Sequence, residues 1–410
     1  MKNQAFSFFI LLMLFPVLIQ PSENKEFTLS EIISIGLKNN PVISARLNEV
    51  EAKKAAFKAS KRLFNPELEF YKGKAKSYDG LEKRNTEGFS IKQPLENPFK
   101  RHYRIKMYEN DWQASEYYYN FTMLEVVFEI KNLFYKILFL KKEGELARKN
   151  LDSITEIQQL IEKRVKLGEV KELEAIKLYV ETLKAQNELN RIQTKLELAR
   201  ENLNKFLGNS LPSDFFIKGK LNYSPLVVEE TFLLKKTLLL HPLIKEKEKE
   251  MELAKSNFSY VKWQRLPDFK LSGFSYKELD GRNTGIGISL DIPLWNFKSK
   301  EIVEAENLYL KQVEELRALQ MEISTEVKSK LNQLRLSEQT MKIFHKGLLK
   351  LAEESLKISE ASYKQGEISL IDYLDSQRTY YSILKDYQDS LYKWNANKAA
   401  LEKAIGEELR

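Results

Sequence analysis

The feature that most constrains this chain is that it is written twice. The turn segment 163–179, with RVKLGEVKELEAIKLY as its body, returns as SYKQGEISLIDYLDSQ at 362–377, so Gly168 and Glu169 recur as Gly366 and Glu367. Asn40-Pro41 recurs as His241-Pro242, Phe57 as Phe258, Pro66 as Pro267, Gly88 and Ser90 as Gly287 and Ser289, and Leu203 and Gly208 as Leu401 and Gly406. The offset drifts only slightly, so the chain reads as one unit of roughly 200 residues in tandem. The first unit spans 23–208, a Pro- and Gly-containing linker 209–225, and the second unit 226–406.

Each unit has the same order of periodicities. Thr28-Leu29-Ser30-Glu31 opens a helix as a capping box, and Ile32, Ile35, Val42, Leu47 and Val50 keep a helical rhythm with a break at Asn40-Pro41. The period then changes. In the second unit Ile286, Ile288, Leu290, Ile292 and Leu294 alternate with Gly285, Gly287, Ser289, Asp291 and Pro293, as a strand with two unlike faces requires. Turn residues such as Asp79-Gly80 and Asp280-Gly281 complete one β-hairpin per unit, at 65–97 and 266–295. Gly273 is read as a phase slip that marks a bulge.

Helical period resumes after each hairpin and runs unbroken by proline over 98–166 and 296–365. Helices of about 65–70 residues, on the order of 100 Å long, are expected, each returning after a Gly turn through a second helix over 169–208 and 367–406. Such lengths require packing against other helices in a coiled-coil-like assembly.

The N-terminus carries Lys2, an apolar run over 5–19 and then Gln20-Pro21-Ser22, the pattern of a secretory signal peptide over 1–22. The chain has no cysteine, which excludes disulfides, thiolate metal sites and a lipid-bearing cysteine. Its 66 basic and 58 acidic residues give +8, but the two signs are interspersed, as on a solvated helical surface rather than a nucleic-acid patch. His102, His241 and His345 stand apart, with no metal-ligand spacing, nucleophile motif or phosphate loop nearby. Neither an enzyme nor a cofactor is indicated.

Four amphipathic strands of about ten residues suit an outer membrane, yet one chain cannot close them into a barrel, for which about eight strands are the minimum. An obligate oligomer pooling its strands is implied. Phe99, Trp295 and Phe297 lie at the strand ends, either as an aromatic girdle or as packing at a helix–strand junction.

This order of elements resembles the TolC-like outer-membrane efflux family over the whole chain after the signal. The strings NPELEF, GFSIKQPLENPFKR and RVKLGEVKELEA are most similar to its cobalt-zinc-cadmium efflux branch. The resemblance implies a mainly α fold with a small β part, in which a homotrimer closes one 12-stranded transmembrane barrel and projects a helical tunnel into the periplasm. It further implies the exit duct of a tripartite pump, carrying solutes, heavy-metal cations among them, with a periplasmic membrane-fusion adaptor and an RND-type inner-membrane transporter as partners. The turns Leu167-Gly168-Glu169 and Gln365-Gly366-Glu367 then match the tip that meets the adaptor. Asp372 and Asp375 match two acidic residues lining the entrance, and share a helix face at their spacing. From the residues alone a solvated surface pair is the favoured reading, and the resemblance reverses that order. Tyr363 matches a gate tyrosine, whereas Ile368 stands where the family's type member has a gating arginine. The alternatives are a duct for type I protein secretion and a periplasmic coiled-coil scaffold without a pore.

Overall fold

A computed structural model describes residues 26–212, 214–292 and 295–409. The segment read as a signal peptide, together with Pro293 and Leu294 of the alternating strand, lies outside these residues. The first unit comprises β1 (Glu26–Phe27), α1 (Leu29–Asn39), α2 (Pro41–Ser60), β2 (Glu67–Lys76), β3 (Lys83–Leu95), α3 (Pro98–Lys166) and α4 (Glu172–Phe206). After β4 (Phe216–Ile217) the second unit repeats the plan with α5 (Glu230–Leu240), α6 (Pro242–Trp263), β5 (Phe269–Lys277), β6 (Arg282–Leu290), α7 (Ser299–Ile343), α8 (Leu349–Gln365) and α9 (Leu370–Ile405).

Local chemistry sets the boundaries. The Glu31 carboxylate takes the Thr28 N–H at 2.7 Å in a capping box at the head of α1. Asn40 ends α1 and caps α2, and Asn97 caps α3, each followed by a proline whose missing N–H costs nothing in a first turn. With 69 residues, α3 is on the order of 100 Å long. No helix among the described residues is long and apolar enough to cross a membrane.

The two hairpins join in one antiparallel sheet of order β2-β3-β5-β6, which leaves β2 and β6 as open edges. Register sorts its residues into two faces. Leu68, Phe70, Phe89, Ile91, Leu271, Ile286 and Ile288 share one face and are all exposed. Glu69, Ser90, Lys92 and Ser272 share the other, where Ser90 and Lys92 hydrogen-bond the Glu69 carboxylate at 3.1 and 2.6 Å. The bulge expected at Gly273 is not formed. Gly273 pairs with Ile91 on one side and Ile286 on the other without a slip, because the lack of a side chain breaks the alternation pattern but not the ladder.

Two further expectations are corrected. The segment 209–225 is not a bare linker: β4 pairs in parallel with β1, Lys218 donates to the Phe27 carbonyl at 2.8 Å, and Leu211, Phe215 and Ile217 are buried with Ile32, Ile130 and Phe134. Nor is 296–365 one helix. A π-helical turn, Phe344–Leu348, separates α7 from α8, and within it Gly347 takes φ 111°, a conformation an L side chain resists. There the buried Phe344 lies beside Tyr387, and His345 sits on the ring of Tyr223 at 5.4 Å, which anchors the irregular turn.

Phe99 stacks on Trp263 at 4.2 Å at the helix–strand junction while one side of its ring stays exposed. Trp295 and Phe297 are exposed.

Candidate functional site

The end of the molecule farthest along the long helices is built from two turns of one design. After α3, Gly168 takes φ 76° and donates to the Val165 carbonyl at 3.0 Å, while Glu169 donates to Arg164 at 3.0 Å. After α8, Gly366 at φ 81° donates to Tyr363 at 3.1 Å and Glu367 to Ser362 at 2.9 Å. Both are Schellman closures, which satisfy the last helical carbonyls and need a residue tolerant of positive φ at that position. Leu167, at 72% exposure, projects from the first turn, and Gln365 and Glu367 are exposed on the second.

An apolar cluster joins the turns beneath: Ile161 and Leu178 of the first hairpin pack with Leu370, Tyr373 and Leu374 of the second, and Tyr363 and Ile368 close over them. Tyr363 stacks on Tyr373 at 5.4 Å with the rings 14° apart. Burial pushes the Tyr363 phenol up and that of Tyr373 up to about 12, so both are neutral packing groups at physiological pH. Ile368, in place of a charged group, continues the apolar clasp.

Asp372 and Asp375 are both exposed on α9, but they are not equivalent. Ser369 caps α9, and Asp372 is its reciprocal partner, taking the Ser369 Oγ–H at 2.7 Å and N–H at 3.2 Å. The helix N-terminus favours this carboxylate, and the cap fixes its direction. Asp375 instead accepts from Arg378 at 2.7 Å. Arg378 also reaches Glu181 on α4 at 2.9 Å, and Lys184 meets the same carboxylate at 3.0 Å. Burial pushes Glu181 up, but Lys184 and Arg378 outweigh it and hold this acid below its usual range. The uncompensated charge of the pair is therefore on Asp372.

Sequence reasoning missed Arg378 and what lies one heptad behind it. Lys385 pairs with Glu143 of α3 at 2.8 Å and approaches Glu188 of α4 at 3.6 Å, so α9 is tied to the first hairpin by a ladder of heptad-spaced charges. Beside the Arg378 rung the buried Gln377 donates to Ser153 and Asn150 of α3 at 3.2 and 3.4 Å. The matching spacings of Glu181/Glu188 and Arg378/Lys385 were a usable signal, as was the Ser369-x-x-Asp372 cap. Among the described residues no group of three or more acids or histidines is placed to hold a metal ion.

The profile of the family described as "Outer membrane efflux protein" matches residues 32–209 and again 233–407, once for each unit. The cobalt-zinc-cadmium resistance protein CzcC of Cupriavidus metallidurans is 22% identical over 381 residues, covering 92% of this chain and 90% of that protein. Among solved structures, the MtrE outer membrane channel of Neisseria gonorrhoeae in its open state superposes with a TM-score of 0.79 at 16% identity, over 93% of this chain and 89% of that one. The CmeC outer membrane channel of Campylobacter jejuni gives 0.79 at 15%, over 92% and 85%.

Proposed function

The chain belongs to the outer membrane efflux protein family, and from that premise we propose that it is the exit duct of a tripartite pump, a homotrimer that conducts solutes passively from the periplasm to the exterior. It is an outer-membrane protein whose helical part lies in the periplasm. The observation that carries the reading is the sheet: four strands with two open edges, an exposed apolar face and a polar face. Three copies paired edge to edge supply twelve strands, bury the edges, turn the apolar face to lipid and enclose the polar one. A scaffold without a pore leaves that face and both edges without partners.

In this reading the Gly168 and Gly366 turns meet a periplasmic adaptor, an RND-type inner-membrane transporter supplies the energy, and the protein itself catalyses nothing. The clasp of Tyr363, Ile368 and Tyr373 holds the tip, and threefold repetition makes the acidic residues into a ring that attracts cations and resists crowding. Asp372 dominates that ring, because Arg378 offsets Asp375. The likeness to a cobalt-zinc-cadmium resistance protein supports divalent heavy-metal cations as cargo.

Planar-bilayer conductance of the detergent-purified protein, alongside its mass in detergent, tests the reading. A trimer giving cation-selective channels is expected, with Asp372→Ala reducing selectivity more than Asp375→Ala. A water-soluble monomer without conductance would sink the duct. For cargo, a deletion strain sensitive to drugs but indifferent to zinc, cobalt and cadmium would sink the metal assignment.

A further inference from the structure

The outward face of the sheet carries more than its apolar band. On β2, Lys72, Lys74 and Lys76 follow Leu68 and Phe70 at the two-residue period, so they occupy the same face beyond the apolar rows. Register sets Lys83 opposite Lys76, and Lys277 opposite Arg282. Glu87, between Lys72 and Lys277, is the one carboxylate within these rows. All six cations are exposed, and none has an ion-pair partner among the described residues.

The other face treats its charges differently. Lys92 pairs with Glu69 at 2.6 Å and Lys270 lies 3.8 Å from Asp291. Inward cations are ion-paired, whereas the outward ones, with Glu87 alone set across from Lys72 and Lys277, make no ion pair among the described residues. Two outward pairs, Lys76 with Lys83 and Lys277 with Arg282, are like charges directly across a ladder, an arrangement that destabilises a sheet unless an anion sits between them.

Depth identifies the anion. The apolar rows run from Leu95, Phe269 and Leu290 to Phe70 and Phe89, about 20 Å along the strands. The helices leave the sheet at the Leu95 end, so the cations lie at the opposite end, beside the hairpin turns. In an outer membrane with the helices in the periplasm, that is the headgroup level of the outer leaflet, where a lipid-facing lysine costs little and its stem still covers apolar surface.

We propose that this cationic collar binds the phosphate groups of outer-leaflet glycolipid, with Lys76 and Lys83 holding one phosphate and Lys277 and Arg282 another. The inference rests on the outer-membrane duct reading for the orientation of the sheet. It gives the protein a lipid-specific contact on the outside of the barrel, independent of cargo.

The test titrates the detergent-purified full chain with bisphosphorylated lipid A, its dephosphorylated form and inorganic phosphate, counting bound lipid by native mass spectrometry. Wild type should prefer the bisphosphorylated lipid, and the Lys76→Gln, Lys83→Gln, Lys277→Gln, Arg282→Gln variant should bind it on the order of 100-fold more weakly. Arginine at the three lysine positions should retain binding, and Lys270→Gln, on the inward face, should change nothing. Equal affinity for both lipids, or an unaffected quadruple variant, overturns the proposal. Competition by inorganic phosphate at the lipid's own concentration overturns it too, by assigning the collar to free anions. Conductance of the same samples keeps the two readings apart: channels that persist without lipid preference sink only the collar.

Discussion

The two units share one backbone plan but not one chemistry at their joints. Asn40 caps α2 by accepting the Val42 N–H at 2.8 Å, and donates to the Phe206 carbonyl at 2.9 Å. His241 does both for α6, taking the Leu243 N–H on Nδ1 at 3.3 Å and facing the Lys403 carbonyl with its other nitrogen. Asn204 accepts the Leu211 N–H at 2.9 Å, and Glu402 likewise accepts the Leu409 N–H at 3.3 Å while also holding Lys131 of α3 at 2.7 Å. Where the first unit uses amides, the second uses groups that ionise. Helix geometry differs in the same direction, since α3 is continuous whereas its counterpart is broken at Gly347. The fold demands a donor or acceptor at each joint and is indifferent to charge. The capping group with a shifted pKa, His241, and the break in the long helix both lie in the second unit.

The largest energetic difference between the two joints lies at Lys131. Its ammonium resists burial through Glu402 and Glu408, and Lys131→Met strands the buried Glu402 carboxylate, at a cost of about 3–5 kcal/mol. Adding Glu402→Asn, which recreates the first unit's joint, should restore most of the loss in thermal unfolding of the detergent-purified protein. A double variant no better than the single would show that the amide and the carboxylate are not interchangeable.

His241 comes next. Burial lowers its pKa to about 4 from an ordinary 6.5, so the folded state excludes a proton that the unfolded chain accepts. The neutral ring's contribution is complete above pH 6.5 and is lost as pH falls toward 4, by roughly 3 kcal/mol. His241→Asn should remove this part of the acid sensitivity. Glu246, raised to about 7 by burial and by Glu250, acts oppositely: its protonated form is favoured by folding, and stability falls as pH rises from about 4.5 to 7. The informative measurement is therefore the difference between variant and wild-type melting profiles, and parallel profiles would refute the role given to His241.

A smaller effect separates two helix glycines. Gly347→Ala places a Cβ at φ 111° and should cost about 1–2 kcal/mol although nothing lies within 4 Å of it. Gly144→Ala, inside continuous α3 with Ile192 at an ordinary 3.6 Å, should stabilise by about 0.5–1 kcal/mol. Equal shifts in melting midpoint would mean that the π turn relaxes to a regular helix at no cost. The smallest contrast is at the tip. Ser369→Ala should cost about 1 kcal/mol by uncapping α9, while Lys171→Ser should add up to about 1 kcal/mol to α4, which has no side-chain cap. Hydrogen exchange of the first turns of the two helices reads both changes.

Those same residues show what a sequence discloses. Periodicity sufficed for the hairpins, because Ile286, Ile288 and Leu290 must share a face whatever surrounds them. It sufficed also for the closures at Gly168 and Gly366, which are local. Gly144 and Gly347 looked alike in two long helical patterns, and only their neighbours, Ile192 for one and the Tyr223–His345 contact for the other, decide which stays helical. At the tip, Asp372 and Asp375 were legible as a pair. Their inequality was not, since Arg378 reaches Asp375 along its own helix but gains its second partner, Glu181, only through tertiary packing.

The short parallel pair of β1 and β4 sets the order in which the chain can be completed. Glu26 and Phe27 are made first, yet they find Phe216 and Ile217 only after the whole first unit has emerged. A ring of nearly 200 residues closes late, and closing it costs little more than closing one of half that length. A fragment ending at Gly208 would contain every long element of the first unit and still lack the strand that seats its own beginning.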